Sequence, residues 1–364
     1  MRVLHVTEAM GGGIISFLDS ISGAQVREGA QVSILYSRRP DTPDRRAIED
    51  RFGPHVRLLP EVDAGSTMKN VLAIGRSIRS AVASGEYDVV HLHSSYAGAV
   101  GRIMLIQSGV PVVYSPHGFA FLRLDQSKLL RWATRMIERI LARRGSLLVT
   151  SQSELDIAAE ELRTVAPALL MSGVPSATIR HTSSAREVGR PRVVMLGRLV
   201  YQKAPWRFAH VARQIGAAAE FIWVGGDASQ DEHGWMTDSP VRMLAWVEPD
   251  ELERLLQETD ILLFPTLWEG MSLSLAQAQA RGIPVVTTDV VGNRDAVING
   301  VTGFVCNTDE ELLERTRQLV DDTHLRMTMG AAAVEWARQG LIDDNIGTDS
   351  LAYYGTRVSG APHA

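Results

Sequence analysis

Apolar residues in this chain fall in short β-branched runs, separated by longer stretches in which they recur every three or four positions. The runs at 3–6, 32–36, 89–93, 112–115 and 147–150 read as strands, with amphipathic helices between them. A second series follows at 192–196, 220–224, 241–245, 261–265, 285–288 and 303–305. Strands that alternate with helices build parallel sheets, so the expected fold class is α/β, with two doubly wound Rossmann-like domains. Breaker residues at 172–176 and the polar stretch 181–192 read as the linker. The domains are then 1–175 and 176–340, and helical patterns at 325–338 and 343–358 close the chain.

Composition narrows this picture. The 364 residues fit two domains at about 150 each, and 45% apolar content supplies two cores. Cys306 is the only cysteine, which excludes an internal disulfide framework, and no apolar run approaches the roughly 18 residues that cross a bilayer. The first strand carries His5, Thr7 and Glu8, which interrupt any secretory core, so a reducing, cytoplasmic setting is expected. A formal charge of −5 is too acidic for general nucleic-acid binding. That average conceals a net +3 over residues 1–175 and a net −8 over 176–364, so the two halves face different partners. Only three lysines accompany 34 arginines, which makes a lysine within a motif informative.

Residues 260–289 read as strand, loop, helix, glycine stop and strand. The loop sets Glu269 and the amides of Gly270, Met271, Ser272 and Leu273 at a helix N-terminus, where unpaired donors and the dipole favour an anion. An ordinary βαβ helix with Glu269 complementing its dipole fits the same residues. Upstream, a strand ends at Gly197 and is followed by Arg198 and Lys203, a fork and a mobile point charge that together can neutralise a diphosphate or else form a solvated surface pair. Gly11, Gly12 and Gly13 follow the first strand and allow close approach of a ligand, or simply a tight turn. They make a poor dinucleotide fingerprint, because Ser16 stands at the third glycine position and no acidic ribose partner ends the second strand. His117, between Pro116 and Gly118, ends the fourth strand of the first series and can donate to an anion or a sugar hydroxyl. His91 and His93 share a strand face, but with no third Cys, His or carboxylate nearby they read as strand-end packing or polar lining.

Taken together, Gly197-Arg198-Leu199 with Lys203, Phe264-Pro265-Thr266 leading to Glu269-Gly270, the 280–286 segment and Gly300 to Gly303 resemble glycosyltransferase family 4, retaining sugar transferases of the GT-B fold. The resemblance spans nearly the whole chain. It implies two domains facing each other across a cleft, and a last helix, within 341–364, that crosses back to the first domain. It implies that Arg198 and Lys203 hold the diphosphate of a nucleotide-sugar donor, UDP-sugar by family frequency. Glu269 and the amides after it would hold the donor sugar, with His117 and the Gly12-Gly13 loop closing on it. The transfer would proceed with retention, without a cofactor or an obligatory metal, to a saccharide or polyprenyl-linked saccharide, in bacterial cell-surface polysaccharide synthesis. One position departs from the family's E-x7-E pattern: Gln277 replaces the second glutamate, keeping an acceptor for ribose but losing the charge. Eight helical residues separate 269 from 277 by about 12 Å, beyond the carboxylate spacing of glycosidases.

Residues 126–144 read as one amphipathic helix, with Lys128, Arg131, Arg135 and Arg139 on one face and Leu129, Trp132, Met136, Ile137 and Ile140 on another. Seven cations and two anions over 123–144 suit the anionic inner face of the cytoplasmic membrane; a soluble helix with a solvated basic face fits the pattern too. Two other readings stay open: a nucleotide-sugar-binding protein weakened at Gln277, and a non-transferase GT-B enzyme such as a sugar-nucleotide epimerase.

Overall fold

The computed structural model describes all residues except 64, 180–188, 227–228, 230, 232 and 360–364, and the side chains of 67 and 68. Most of the 181–192 linker therefore lies outside the described residues. The chain divides into two compact units. One comprises residues 1–122, 126–172 and 344–364; the other comprises 123–125 and 173–343.

The first unit runs β1 (Arg2–Thr7), α1 (Gly12–Arg27), β2 (Gln31–Tyr36), α2 (Arg45–Phe52), β3 (Val56–Leu58), α3 (Thr67–Ala83), β4 (Val89–His93), α4 (Ser95–Met104), β5 (Val112–Ser115), α5 (Lys128–Leu141), β6 (Ser146–Val149), α6 (Gln152–Asp156) and β7 (Ala168–Leu169). Its seven strands lie in the order β3-β2-β1-β4-β5-β6-β7, every neighbouring pair parallel. Strand alternation sorts the side chains. Leu4, Val6, Val90, Leu92 and Tyr114 pack on the α3 and α4 side with Ile74, Ile78 and Ala97. Val3, Val89 and Val113 pack on the other side against Phe17 and Ile21 of α1. His5, His91 and His93 share that second face, because they occupy the same parity of positions.

The second unit runs β8 (Arg192–Leu196), α7 (Pro205–Ile215), β9 (Glu220–Val224), β10 (Val241–Leu244), α8 (Pro249–Gln257), β11 (Ile261–Phe264), α9 (Leu273–Ala280), β12 (Val285–Thr288), α10 (Asn293–Ala296), β13 (Gly303–Cys306), α11 (Asp309–Asp321) and α12 (Thr323–Gly340). Its strand order is β10-β9-β8-β11-β12-β13, again all parallel. The continuous apolar runs of β8 and β11 are those of strands covered on both faces. The last helix, α13 (Ile346–Val358), belongs to the first unit, where Ile346 and Tyr354 complete the core over α1.

In each sheet the strand order reverses once, between β1 and β4 and between β8 and β11. Loops leaving the carboxyl ends of such strands diverge, which opens a ligand crevice there.

Candidate functional site

In the second unit the two loops at the switch point are tied into one assembly. Leu267 N donates to Gln202 O (2.8 Å), Gln202 Nε2 donates to Trp268 O (2.7 Å), and Lys203 Nζ donates to Glu269 Oε1 (2.7 Å). The Lys203 and Glu269 side chains are 15% and 9% exposed, and the ammonium stands 4.7 Å from the centre of the Phe264 ring. A cation and an anion are thus held together at low exposure, where a second anion would compete for the lysine. Gly197 is required behind them, because its φ of 155° leaves the stem of Lys203 where a Cβ would be, with Lys203 Cε 3.2 Å away.

Gly270 to Leu273 lead into α9. Ser272 occupies the N-cap position without a side-chain cap, and Ser274 Oγ reaches back to Leu196 O at 3.4 Å. The loop rests on Gly292, where an added Cβ would fall 1.5 Å from Gly270 O at a φ of 80°, so only glycine fits. Beside it, buried Asn293 donates from Nδ2 to Thr266 Oγ1 (3.0 Å) and Thr287 Oγ1 (2.9 Å), bracing the backbone before Glu269. Arg198 is exposed just beyond β8, and Gln277 is half-buried on α9. Gly197, Lys203, Glu269 and the Gly270 to Leu273 segment therefore belong to one neighbourhood at the carboxyl ends of β8 and β11, with Arg198 next to Gly197 in the chain and Gln277 in the second turn of α9. Gln202, Gly292 and Asn293 complete it without a motif of their own.

In the first unit, Gly12 and Gly13 form the opening turn of α1, so the glycine run starts a helix instead of making a bare tight turn. Four residues on, Phe17 meets the His117 ring edge-on with centroids 4.6 Å apart, which brings the glycine segment and the histidine together. His117 sits in the left-handed region (φ 51°), a strained conformation for a residue with a Cβ. The following turn is fixed by buried Glu154: Oε1 accepts from Gly118 N (2.7 Å), and Oε2 accepts from Thr150 N and Thr150 Oγ1 (both 3.0 Å). Burial holds the His117 pKa down at about 3, so the ring is neutral at physiological pH.

The expectation that no third ligand-type residue stands near His91 and His93 is corrected. Strand register puts His5 opposite His91, and the three residues bring ring nitrogens within 4.8 Å of one another. Both nitrogens of each ring are hydrogen-bonded, to Gln25, His93, His117, Tyr354, Ser115 and each other. The cluster is therefore a polar network and not a set of lone pairs aimed at an ion. Burial lowers the His5 pKa to about 4 and holds His91 and His93 well below the usual histidine value.

Helix α5 turns part of its polar side inward and leaves part of its apolar side exposed. Arg131 Nε donates to Phe121 O (2.9 Å), Arg135 lies over the Phe121 ring and pairs with Glu161, and Glu138 is buried with Arg102 (2.6 Å) and Tyr114 (2.9 Å). Leu129, Trp132 and Ile140 are 74%, 60% and 73% exposed. Of the four cations on this helix, Lys128 and Arg139 face solvent, while Arg131 and Arg135 hold the helix to its own unit. No described helix is long and apolar enough to span a membrane.

Comparison with known proteins agrees with this architecture. Residues 12–171 match the family model "Glycosyl transferase 4-like domain", and residues 190–322 match "Glycosyl transferases group 1". The UDP-Gal:alpha-D-GlcNAc-diphosphoundecaprenol alpha-1,3-galactosyltransferase of Escherichia coli is 28% identical over 288 residues, 71% of this chain and 72% of that protein. Sucrose-phosphate synthase from Thermosynechococcus elongatus superposes with a TM-score of 0.81 at 16% identity, covering 98% of each chain. Anabaena HepE in complex with UDP-glucose gives 0.77 at 18% identity, covering 98% of this chain and 100% of that one. The chain belongs to the family-4 type of glycosyltransferases, and its two parallel α/β units are those of the GT-B fold.

Proposed function

We propose that the protein moves a sugar from a nucleotide-diphosphate sugar, a UDP-sugar first, to a saccharide or lipid-linked saccharide, with retention and without metal or cofactor. The observation that carries this reading is the Lys203–Glu269 pair in the loops at the carboxyl ends of β8 and β11, with Arg198 exposed just beyond β8. On donor binding the ammonium, which has three protons, bridges Glu269 and the diphosphate, and Arg198 adds a second positive group. Their attraction grows as charge develops on the leaving diphosphate, and this stabilises the transition state. Glu269 accepts from sugar hydroxyls, and Gln277 from the ribose. His117 and the Gly12-Gly13 turn serve the sugar from the first unit. With Glu269 held by Lys203 and engaged with sugar hydroxyls, the departing diphosphate oxygen takes the acceptor proton on the same face of the sugar.

The E. coli relative's printed acceptor is carried on diphosphoundecaprenol. An acceptor of that class fits the outward apolar face of α5. Leu129, Trp132 and Ile140 would enter an anionic lipid surface, with Lys128, Arg139, Arg143 and Arg144 at its headgroups.

A thermal-shift screen of nucleoside diphosphates and nucleotide sugars tests the donor reading. A ligand at a hundred times its dissociation constant adds about 2.7 kcal/mol to stability. Nucleotide release that requires an added acceptor distinguishes a transferase from an epimerase or a binding protein. Release without any acceptor dependence would overturn the proposal.

A further inference from the structure

From the bonding around His117 we infer that a buried relay, running from Gln25 through His5 and His93, fixes the His117 tautomer and presents its Nδ1 as an acceptor. Gln25, His5 and His93 are then positioning residues, and His117 takes a hydrogen bond from a sugar hydroxyl instead of giving one to a phosphate.

One backbone carbonyl, which only accepts, sets the direction of the relay, and a second fixes the neighbouring His91. Ser350 Oγ lies 2.9 Å from Gly347 O and donates to it, so the same oxygen accepts from Gln25 Nε2 (2.9 Å). The Gln25 amide is thereby oriented with Oε1 toward His5 Nε2 (2.9 Å), which must carry a proton. His5 Nδ1 is then bare and accepts from His93 Nε2 (2.8 Å); His93 Nδ1 is bare in turn and accepts from His117 Nε2 (2.9 Å). A neutral His117 protonated at Nε2 has its lone pair on Nδ1, for which no partner occurs among the described residues. The side branch agrees. Ser115 Oγ donates to Leu148 O and so accepts from His91 Nε2 (2.9 Å), which leaves His91 Nδ1 to accept from Tyr354 OH (2.6 Å). Reversing the relay would turn the Gln25 amide and make Ser350 Oγ donate to it, leaving the Ser350–Gly347 contact without a hydrogen. The lowered pKa values of all four histidines keep the rings neutral, as the scheme requires.

The relay itself is independent of ligand; what Nδ1 meets rests on the donor reading above. The test starts from the free, full-length protein labelled with ¹⁵N at histidine. At neutral pH each of the four rings is expected to show a protonated Nε2 and a bare Nδ1, and a His117 protonated at Nδ1 overturns the relay. Gln25→Leu removes the fixing acceptor three hydrogen bonds from His117, and both tautomers of His117 should then appear; an unchanged single form would mean that Gln25 only packs. Ser350→Ala, which frees the amide to turn, serves the same purpose if Gln25→Leu does not fold. UDP-glucose and UDP-galactose are then titrated in turn. The one that binds should move the His117 Nδ1 signal upfield and bind Gln25→Leu roughly threefold to tenfold more weakly, whereas UDP alone binds both proteins equally. An equal loss for UDP, or a bound sugar nucleotide that leaves Nδ1 unmoved, overturns the contact with the sugar. If neither sugar nucleotide nor UDP binds, the UDP-sugar form of the donor reading fails, while the spectrum of the free protein still decides the relay.

Discussion

At the β1–β4 switch point the first unit gathers neutral imidazoles; at the β8–β11 switch point the second gathers an ammonium and a carboxylate. Both stand at the carboxyl ends of parallel strands in sheets of the same kind. A charged pair acts through field strength, which matters where a diphosphate must leave. A neutral relay acts through hydrogen-bond direction, which matters where hydroxyls must be told apart. Sheet topology supplies the place, and the residues at the strand ends decide which kind of recognition it performs.

The sharpest way to break this contrast is Lys203→Ala. If the lysine stabilises developing charge, kcat in a nucleotide-release assay should fall at least about a hundredfold. A loss confined to KM would place it in ground-state binding alone.

Acid should separate the two units next. The folded pKa of His5 is about 4 against an ordinary 6.5, so between those values the unfolded chain binds more protons. Stability is therefore complete above pH 6.5 and is lost as pH falls, by about 3 kcal/mol at pH 4 from His5 alone. Hydrogen-exchange protection in β1 and β4, taken against the intrinsic rate at each pH, should fall on acidification before the fluorescence of the tryptophans changes, since six of the seven (all but Trp132) lie in the second unit. Simultaneous loss in both units would mean that the histidines do not set the acid limit.

A third comparison sets the outer surface of α5 against the Lys203 and Glu269 loops. Placing glutamate at Leu129, Trp132 and Ile140 together should reduce co-sedimentation with phosphatidylglycerol vesicles by roughly tenfold or more, while UDP affinity stays as it was. Wild-type protein that fails to bind such vesicles, or binds without salt dependence, removes the lipid reading. The smallest expected effect is that of Gln277→Glu, which restores a charge-assisted bond to ribose and should tighten UDP binding a few-fold.

Much of this was legible in the order of residues. The strand runs and the Gly197 to Gln277 motifs carry their meaning locally, because strand periodicity and loop chemistry are short-range properties. Strands β3 and β7 were not legible, since three and two residues are too few to show a period. The amphipathic pattern of α5 was plain, but a pattern does not say which side faces in. That was decided by Arg102, Tyr114 and Glu161, which lie outside the helix, and by Phe121 in the segment leading into it. The histidine network depends on the pairing of His5 with His91 across parallel strands and on Tyr354, 263 positions beyond His91. Register between parallel strands is a tertiary property, so two histidines at one strand end gave no sign of the other two.

The docking of α13 on α1 gives the chain an unusual order of manufacture. Everything the first unit needs except that helix leaves the ribosome early, yet Ile346, Ser350 and Tyr354 follow the entire second unit. The part made first is thus finished last. Until then Phe17, Ile21 and Ala24 lack their cover and His91 lacks its phenol, so the nascent half waits with an open apolar seam, the stage at which a chaperone has most reason to hold it.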